Sequence, residues 1–241
     1  GTCGLVGYKP PYGRNSDYSP FNLDFYCHTG PLARSVSDAV LLQTALSGPH
    51  PQDIASLRPK LRLPTDYPPI KDWKIAFSMD LGFFEVDPDV QKNTLNALNV
   101  FRDLGATVEE VDIGWDHRVL DAGMAYLKHI FGAYMATYLE DHADKMTNYV
   151  RQWAEEAQKS TAAEFLHTLE VANEMYATVG PLLEKYQVLV CPTNALPAVH
   201  ADFDHSQDTL MINGKNVNPV LGWPMTTPFK SLSRCPVLTV P

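Results

Sequence analysis

Residues Trp73 to Ile113 read WKIAFSMDLGFFEVDPDVQKNTLNALNVFRDLGATVEEVDI, and this stretch decides the fold class. Trp73 to Phe77 is an apolar run of strand length. Asp87-Pro88 marks a helix start, a capping side chain followed by proline at the first helical position, where its missing N–H costs nothing. Val90, Ala97, Leu98 and Phe101 supply an apolar face, and Gly105 stops the helix before a second strand, Thr107 to Ile113. Strand, helix and strand in this order make a βαβ unit, because parallel strands need a crossover of a dozen or more residues. The chain is therefore α/β rather than all-β.

Upstream, Pro49, Pro51, Pro59, Pro64, Pro68 and Pro69 remove backbone donors and fix φ, so residues 49–72 read as a surface connection. Before it, GPLARSVSDAVLLQTALSGP carries a helix with both ends marked. Ser35 and Asp38 resemble a capping box, Val36, Ala39, Val40 and Leu46 keep an apolar stripe, and Gly48-Pro49 ends it. Downstream, Trp115 to Leu183 is helical almost throughout, with a capping box at Thr161 and Glu164 and a break at Gly180-Pro181. Val188 to Pro192, VLVCP, is a continuous apolar run suited to a strand buried on both faces. Asn194 to Arg234 reads as irregular, and PVLTVP at the end as a strand.

The chain has 241 residues, 45% hydrophobic and 20% charged, ordinary for a globular protein with a sizeable core. A formal net charge of −9 without a Lys/Arg cluster argues against nucleic acid, whose phosphates are bound through paired cations. No apolar run is long enough to span a bilayer, so no membrane partner is expected. Cys3, Cys27, Cys191 and Cys235 are scattered without a CxxC pair, which suits free, mostly buried thiols in a reducing cytoplasm.

Few residue patterns suggest chemistry on their own. Gly1, Gly4, Gly7 and Gly13 do not make a dinucleotide loop, since the spacing is GxxGxxG and no strand-to-helix unit follows; close passage of backbone is the simpler reading. HADFDHSQD, from His200 to Asp208, is not a calcium loop, because Gln207 and Asn213 stand where glycine and glutamate are needed, and it lacks helical His pairs for zinc. It reads as a solvated polar loop. Cys27 and His28 are neighbours whose side chains diverge in an extended loop, so they do not make a couple. His117, His129, His142 and His167 lie in helical sequence without a paired ligand. There is no GxSxG or HExxH.

The order of motifs says more. Cys3-Gly4, Gly7, Lys9-Pro10 and Gly13-Arg14, then GPLARSVSDAVLL from Gly30 to Leu42, resemble the amidase signature family. YQVLVCPT, Tyr186 to Thr193, is similar to that family's strand before a Pro-Thr turn, with Gln187 where aspartate is usual. TTPFKSLSRCPVLTVP, Thr226 to Pro241, resembles its closing motif, with Lys230 where asparagine is common; Cys27 replaces a frequent aspartate. The resemblance implies an α/β/α sandwich around a mixed central β-sheet. It also implies hydrolysis of carboxamides by a serine, cis-serine and lysine triad, with no metal or organic cofactor and a small-molecule amide as partner. It leaves a homodimer open.

The family's lysine and both serines lie in segments before the residues matching Gly1 to Gly4, so no catalytic residue is carried over. Ser16, Ser19, Ser35 and Ser37 do not match, and Lys9 belongs to the KP motif. The expectation is a single partial amidase domain over residues 1–241, cut at both ends and inactive alone. Tyr18, Phe21 and Cys27, in a loop that passes near the active site in relatives, are the candidate pocket residues. The alternatives are a non-catalytic scaffold paralogue and a glutamyl-tRNA amidotransferase-like subunit.

Overall fold

The computed structural model describes residues 2–241; Gly1, the first glycine of the spaced set, lies outside the described residues. The chain divides into two compact units, one made of residues 1–69 with 229–241 and the other of residues 70–228. The architecture is mixed α/β, as expected, and its strands pair in two three-stranded ladders and a hairpin.

In the first unit, β1 (Val6–Lys9) lies between β2 (Leu32–Ala33) and β8 (Val237–Thr239), antiparallel to both. Gly7 sits at the centre because a Cβ there would come within 2.9 Å of Thr239 Oγ1 and 3.0 Å of a Leu32 methyl. These neighbours are side chains; the close passage of backbone on backbone expected of the spaced glycines is found at Gly13, where a Cβ would come within 2.6 Å of Ala55 O, and not at Gly4, where nothing lies within 4 Å. Helix α1 (Val36–Leu46) starts where expected, with Ser35 Oγ accepting from Asp38 N at 3.1 Å.

The stripe expected on α1 needs correction. Ala39 and Val40 are buried, but Val36 and Leu46 are each 42% exposed and Leu41 is 71% exposed, while Gln43 is buried. The cause is that VSDAVLLQTAL is apolar around most of its circumference, so pattern alone does not choose a face. Gln43 turns inward because Asn15 meets both ends of its amide, at 2.7 and 3.1 Å. The proline-rich connection is also less superficial than expected, since Asp53 is only 5% exposed.

In the second unit, β3 (Lys74–Phe77) runs parallel to both β4 (Thr107–Glu110) and β5 (Val188–Val190). Helix α2 (Pro88–Asp103) makes the crossover between β3 and β4, capped by Asp87. Ile75, Ala76 and Phe77 are buried, as befits the central strand. Leu98 anchors α2, whereas Ala97, expected on the same face, is exposed. The second strand ends at Glu110, short of the expected Ile113. β5, expected to be buried on both faces, is half-buried because it lies at the edge of its ladder.

Between β4 and β5 the chain is helical, as expected, in several pieces. α3 (Arg118–Tyr126) passes into a π-helical turn (Leu127–Gly132) and α4 (Ala133–Ala136), followed by α5 (Leu139–His142), α6 (Asn148–Ala157) and α7 (Ala162–Lys185). α7 begins with the expected capping box and buries Val171, Ala172, Met175 and Val179. It does not break at Gly180-Pro181 but continues to Lys185. The proline removes only one helical hydrogen bond, and the last turn is retained, with Tyr186 N donating to Leu182 O at 2.8 Å.

The region from Asn194 to Arg234, expected to be irregular, contains a hairpin of β6 (Leu210–Ile212) and β7 (Lys215–Val217). Its loop is Asn213-Gly214, both at positive φ, the favoured chemistry for a two-residue hairpin turn. A short helix, α8 (Pro228–Ser231), leads the chain back to the first unit.

Candidate functional site

The Lys-Pro segment, the loop before Gly30 and the segment before β8 meet in the first unit, although the last is separated from the others by most of the chain. Lys9, at the end of β1, donates from Nζ to Cys235 O at 2.8 Å. Tyr12 N donates to Ser233 O at 2.9 Å. Arg234 donates to Tyr12 O at 3.2 Å and lies over the Tyr12 ring at 5.6 Å. His28 places one ring nitrogen 3.0 Å from Tyr26 O and the other 2.9 Å from Ser233 O.

These contacts define what the ionisable groups can do. Burial pushes the Lys9 amine down to about 8. Burial likewise lowers Lys230, against the pull of Asp24 and Cys27. His28 is held below the usual imidazole range by burial and by the charge of Lys9, against its two carbonyl contacts. The Cys27 thiol is pushed up by burial and by Asp24 and Asp17, which keeps it protonated at neutral pH and unsuited to nucleophilic attack. Both His28 nitrogens face carbonyls, so His28 does not activate Cys27, in line with the divergence expected for neighbours.

Lys9 gives a test of this wiring. Its folded pKa, about 8, lies below its ordinary 10.5. The unfolded chain therefore binds the proton first as pH falls, and folding stability rises as pH climbs from about 8 to 10.5. Urea unfolding across that range should show a pH slope in wild type that is shallower in Lys9→Met. Identical slopes would mean that Lys9 is not buried as described.

Phe21 and Cys27 line a recess of about 10 Å³ together with Tyr12, Asn22 and Asp53. It has room for about one water molecule and none for an amide substrate. Tyr18 is 77% exposed and is not part of its wall. Asn22 and Asp53, which also line the recess, are not singled out by the sequence. Asp53 had a weak signal, since Asp commonly caps a turn through its own side chain, as Asp53 does toward Ala55 N at 2.9 Å.

The second unit has an open recess of about 330 Å³ between residues 146–149 and 201–204. Asp204 holds its rim by accepting from Asn148 at 2.8 Å and from Ser206 at 2.6 Å. His205 packs there against Phe203 and Tyr149. Among the described residues no group of three or more His, Cys, Asp or Glu could hold a metal ion. His129 meets Ser160 Oγ at 2.8 Å and stacks on Phe165, but no carboxylate among the described residues bonds its other ring nitrogen, as a charge-stabilised serine couple would need. No helix of the described residues is long and apolar enough to cross a membrane.

The family model described as Amidase matches residues 1–241. The chain belongs to the amidase signature family. It is 28% identical to an acylamidase of Rhodococcus erythropolis over 99% of its own length and 50% of the relative's. It is 29% identical to a subunit of the glutamyl-tRNA(Gln) amidotransferase of Bacillus velezensis, over 81% of this chain and 46% of that protein. In structure it matches a bacterial aryl acylamidase of the amidase signature family at a TM-score of 0.85 and 24% identity, covering 99% of this chain and 51% of that one. The chain thus spans about half the length of the curated relatives it matches.

Proposed function

We propose that this chain forms part of an amidase that hydrolyses linear carboxamide C–N bonds to a carboxylic acid and ammonia or an amine. In this reading the nucleophilic serine, the bridging serine and the lysine are supplied by sequence preceding Gly1, and the 241 residues alone turn over no amide. The observation that carries the reading is that the family model matches the whole chain while the acylamidase relative is about twice its length. The wiring of Lys9, assigned to the KP motif rather than to the triad, is consistent with it, since Lys9 donates to a backbone carbonyl and not to a serine. Activating the nucleophile would require a neutral lysine amine to accept the proton that leaves the nucleophilic serine and passes through a bridging serine.

The acylamidase match directs the choice of substrates to N-acyl and aryl amides. The chain alone and an N-terminally extended protein should be assayed side by side on such a panel, with turnover expected only in the extended form. Turnover by the 241 residues that is lost in Ser160→Ala or Lys9→Met would place a catalytic centre inside the chain and overturn the proposal. The match to one chain of an amidotransferase favours a second reading, transfer of ammonia within a larger assembly. Stable co-purification with a partner chain, and activity that depends on it, would select that reading.

A further inference from the structure

The small recess in the first unit is rich in acceptors and nearly without spare donors. Asp53 is 5% exposed, and its carboxylate takes three N–H donors, from Ala55, Asn22 Nδ2 and Asp17. A carboxylate offers about four lone-pair sites, so one remains. Asp17, also on the wall, takes two donors, Tyr18 N and Thr29 Oγ1, at 2.8 Å each, and keeps two sites. Asn22 lines the same recess at 8% exposure, and its Oδ1 has no hydrogen-bond partner among the described residues.

The orientation of the Asn22 amide is fixed by its neighbour. Flipping it would set Oδ1 against Asp53 Oδ1, acceptor against acceptor, at the 3.2 Å where Nδ2 now donates. The donors on the wall are already committed: Tyr12 Oη donates to Asn22 O, and Asn15 Nδ2 lies on Thr29 O and Gln43 Oε1. The side-chain donors left over are the second N–H of the Asn22 amide and the Cys27 thiol, a weak donor. No Lys, Arg or His among the described residues forms an ion pair with Asp53. The negative field reaches Tyr12, whose phenol is raised by burial and then by Asp53 and Asp24.

A buried carboxylate lacking a counter-charge, beside an orphaned amide oxygen, calls for a species that only donates or only carries positive charge. A water would donate to these acceptors but leave the charge of Asp53 uncompensated, and a divalent ion of magnesium's kind keeps several waters that a space of about 10 Å³ does not admit. We propose that this recess binds one water-sized monovalent cation, potassium or ammonium, held by Asn22 Oδ1 with the carboxylates of Asp17 and Asp53. Bound there, it would tie the loop from Asn15 to Thr29 to the turn at Asp53. The inference is independent of where the catalytic residues lie.

Thallium(I), a heavy mimic of potassium, tests it on the 241-residue chain. The expected results are an anomalous-scattering peak within bonding distance of Asn22 Oδ1, and a melting temperature that rises saturably with K⁺ or NH₄⁺. N-methylglucamine at the same ionic strength should give no such rise. Asp53→Asn, which keeps the size and removes the charge, should lose the cation response. A larger rise with one of K⁺ and NH₄⁺ would support the proposal and say which ion the site prefers. Absence of the thallium peak in wild type, or an ion response unchanged in Asp53→Asn, overturns the proposal.

Discussion

Gly30→Ala is expected to cost the first unit about 3–5 kcal/mol, a large part of a typical domain's total stability. A Cβ at Gly30 would stand far inside the van der Waals contact distance to the Tyr8 carbonyl oxygen and 2.9 Å from Pro10 Cδ. Neither neighbour is a flexible side-chain end. Tyr8 is held in β1 and also donates its own N–H to Pro31 O at 3.0 Å, so moving it away breaks the segment that packs against residue 30. Gly4→Ala is the control. Gly4 has φ +62° and nothing within 4 Å of its Cβ position, so it should carry only the left-handed backbone penalty, about 1–2 kcal/mol. Denaturant midpoints of the two variants separate steric exclusion from backbone preference. A Gly30→Ala protein within about 1 kcal/mol of wild type would mean that the Tyr8–Gly30 approach is not as close as described.

Trp115→Ala is expected to destabilise the second unit by about 3–5 kcal/mol, the usual range for removing a large buried aromatic. Trp115 is 5% exposed, and its indole N–H donates to Thr178 Oγ1 at 2.9 Å and to Met175 O at 3.3 Å. It joins the segment before α3 to α7 by an apolar surface and a polar point at once. Trp115→Phe keeps much of the surface and removes the donor, so its cost should fall to about 1–2 kcal/mol. Loss of the near-ultraviolet aromatic signal together with a lower urea midpoint reads both effects. Equal destabilisation by Ala and Phe would place the whole contribution in the hydrogen bond and refute the packing account.

The starts of the helices were readable because caps act within one turn. Ser35, Asp87 and Thr161 each meet a backbone N–H two or three residues on, so sequence proximity and spatial proximity coincide. The hairpin at Asn213-Gly214 carried an equally local signal that the surrounding prolines and glycines obscured. The outward face of α1 was not readable, because a helix apolar on most sides is oriented only by what it packs against. The same holds for the recess. Asn22 and Asp53 are 31 residues apart, and Asp53 lies among prolines that argue for the surface. The contact of His28 with Ser233 spans 205 residues. Phe21 and Cys27 reached the wall of the recess through their loop, whereas Tyr18 in the same loop points to solvent, a difference that the few residues between them do not encode.

The division of the chain has a consequence for the order of events during synthesis. Residues 70–228 are continuous and leave the ribosome as a finished stretch. The first unit must wait, because β8, which pairs with the central strand β1, lies in its second segment, residues 229–241. The contact of Gly7 with Thr239 spans 232 residues, and a closure of that length is offset by its contacts only after the whole second unit has been made. During translation, therefore, β1 and β2 emerge before the second unit and are completed after it, with one edge of β1 held open for the whole time that the second unit is being built.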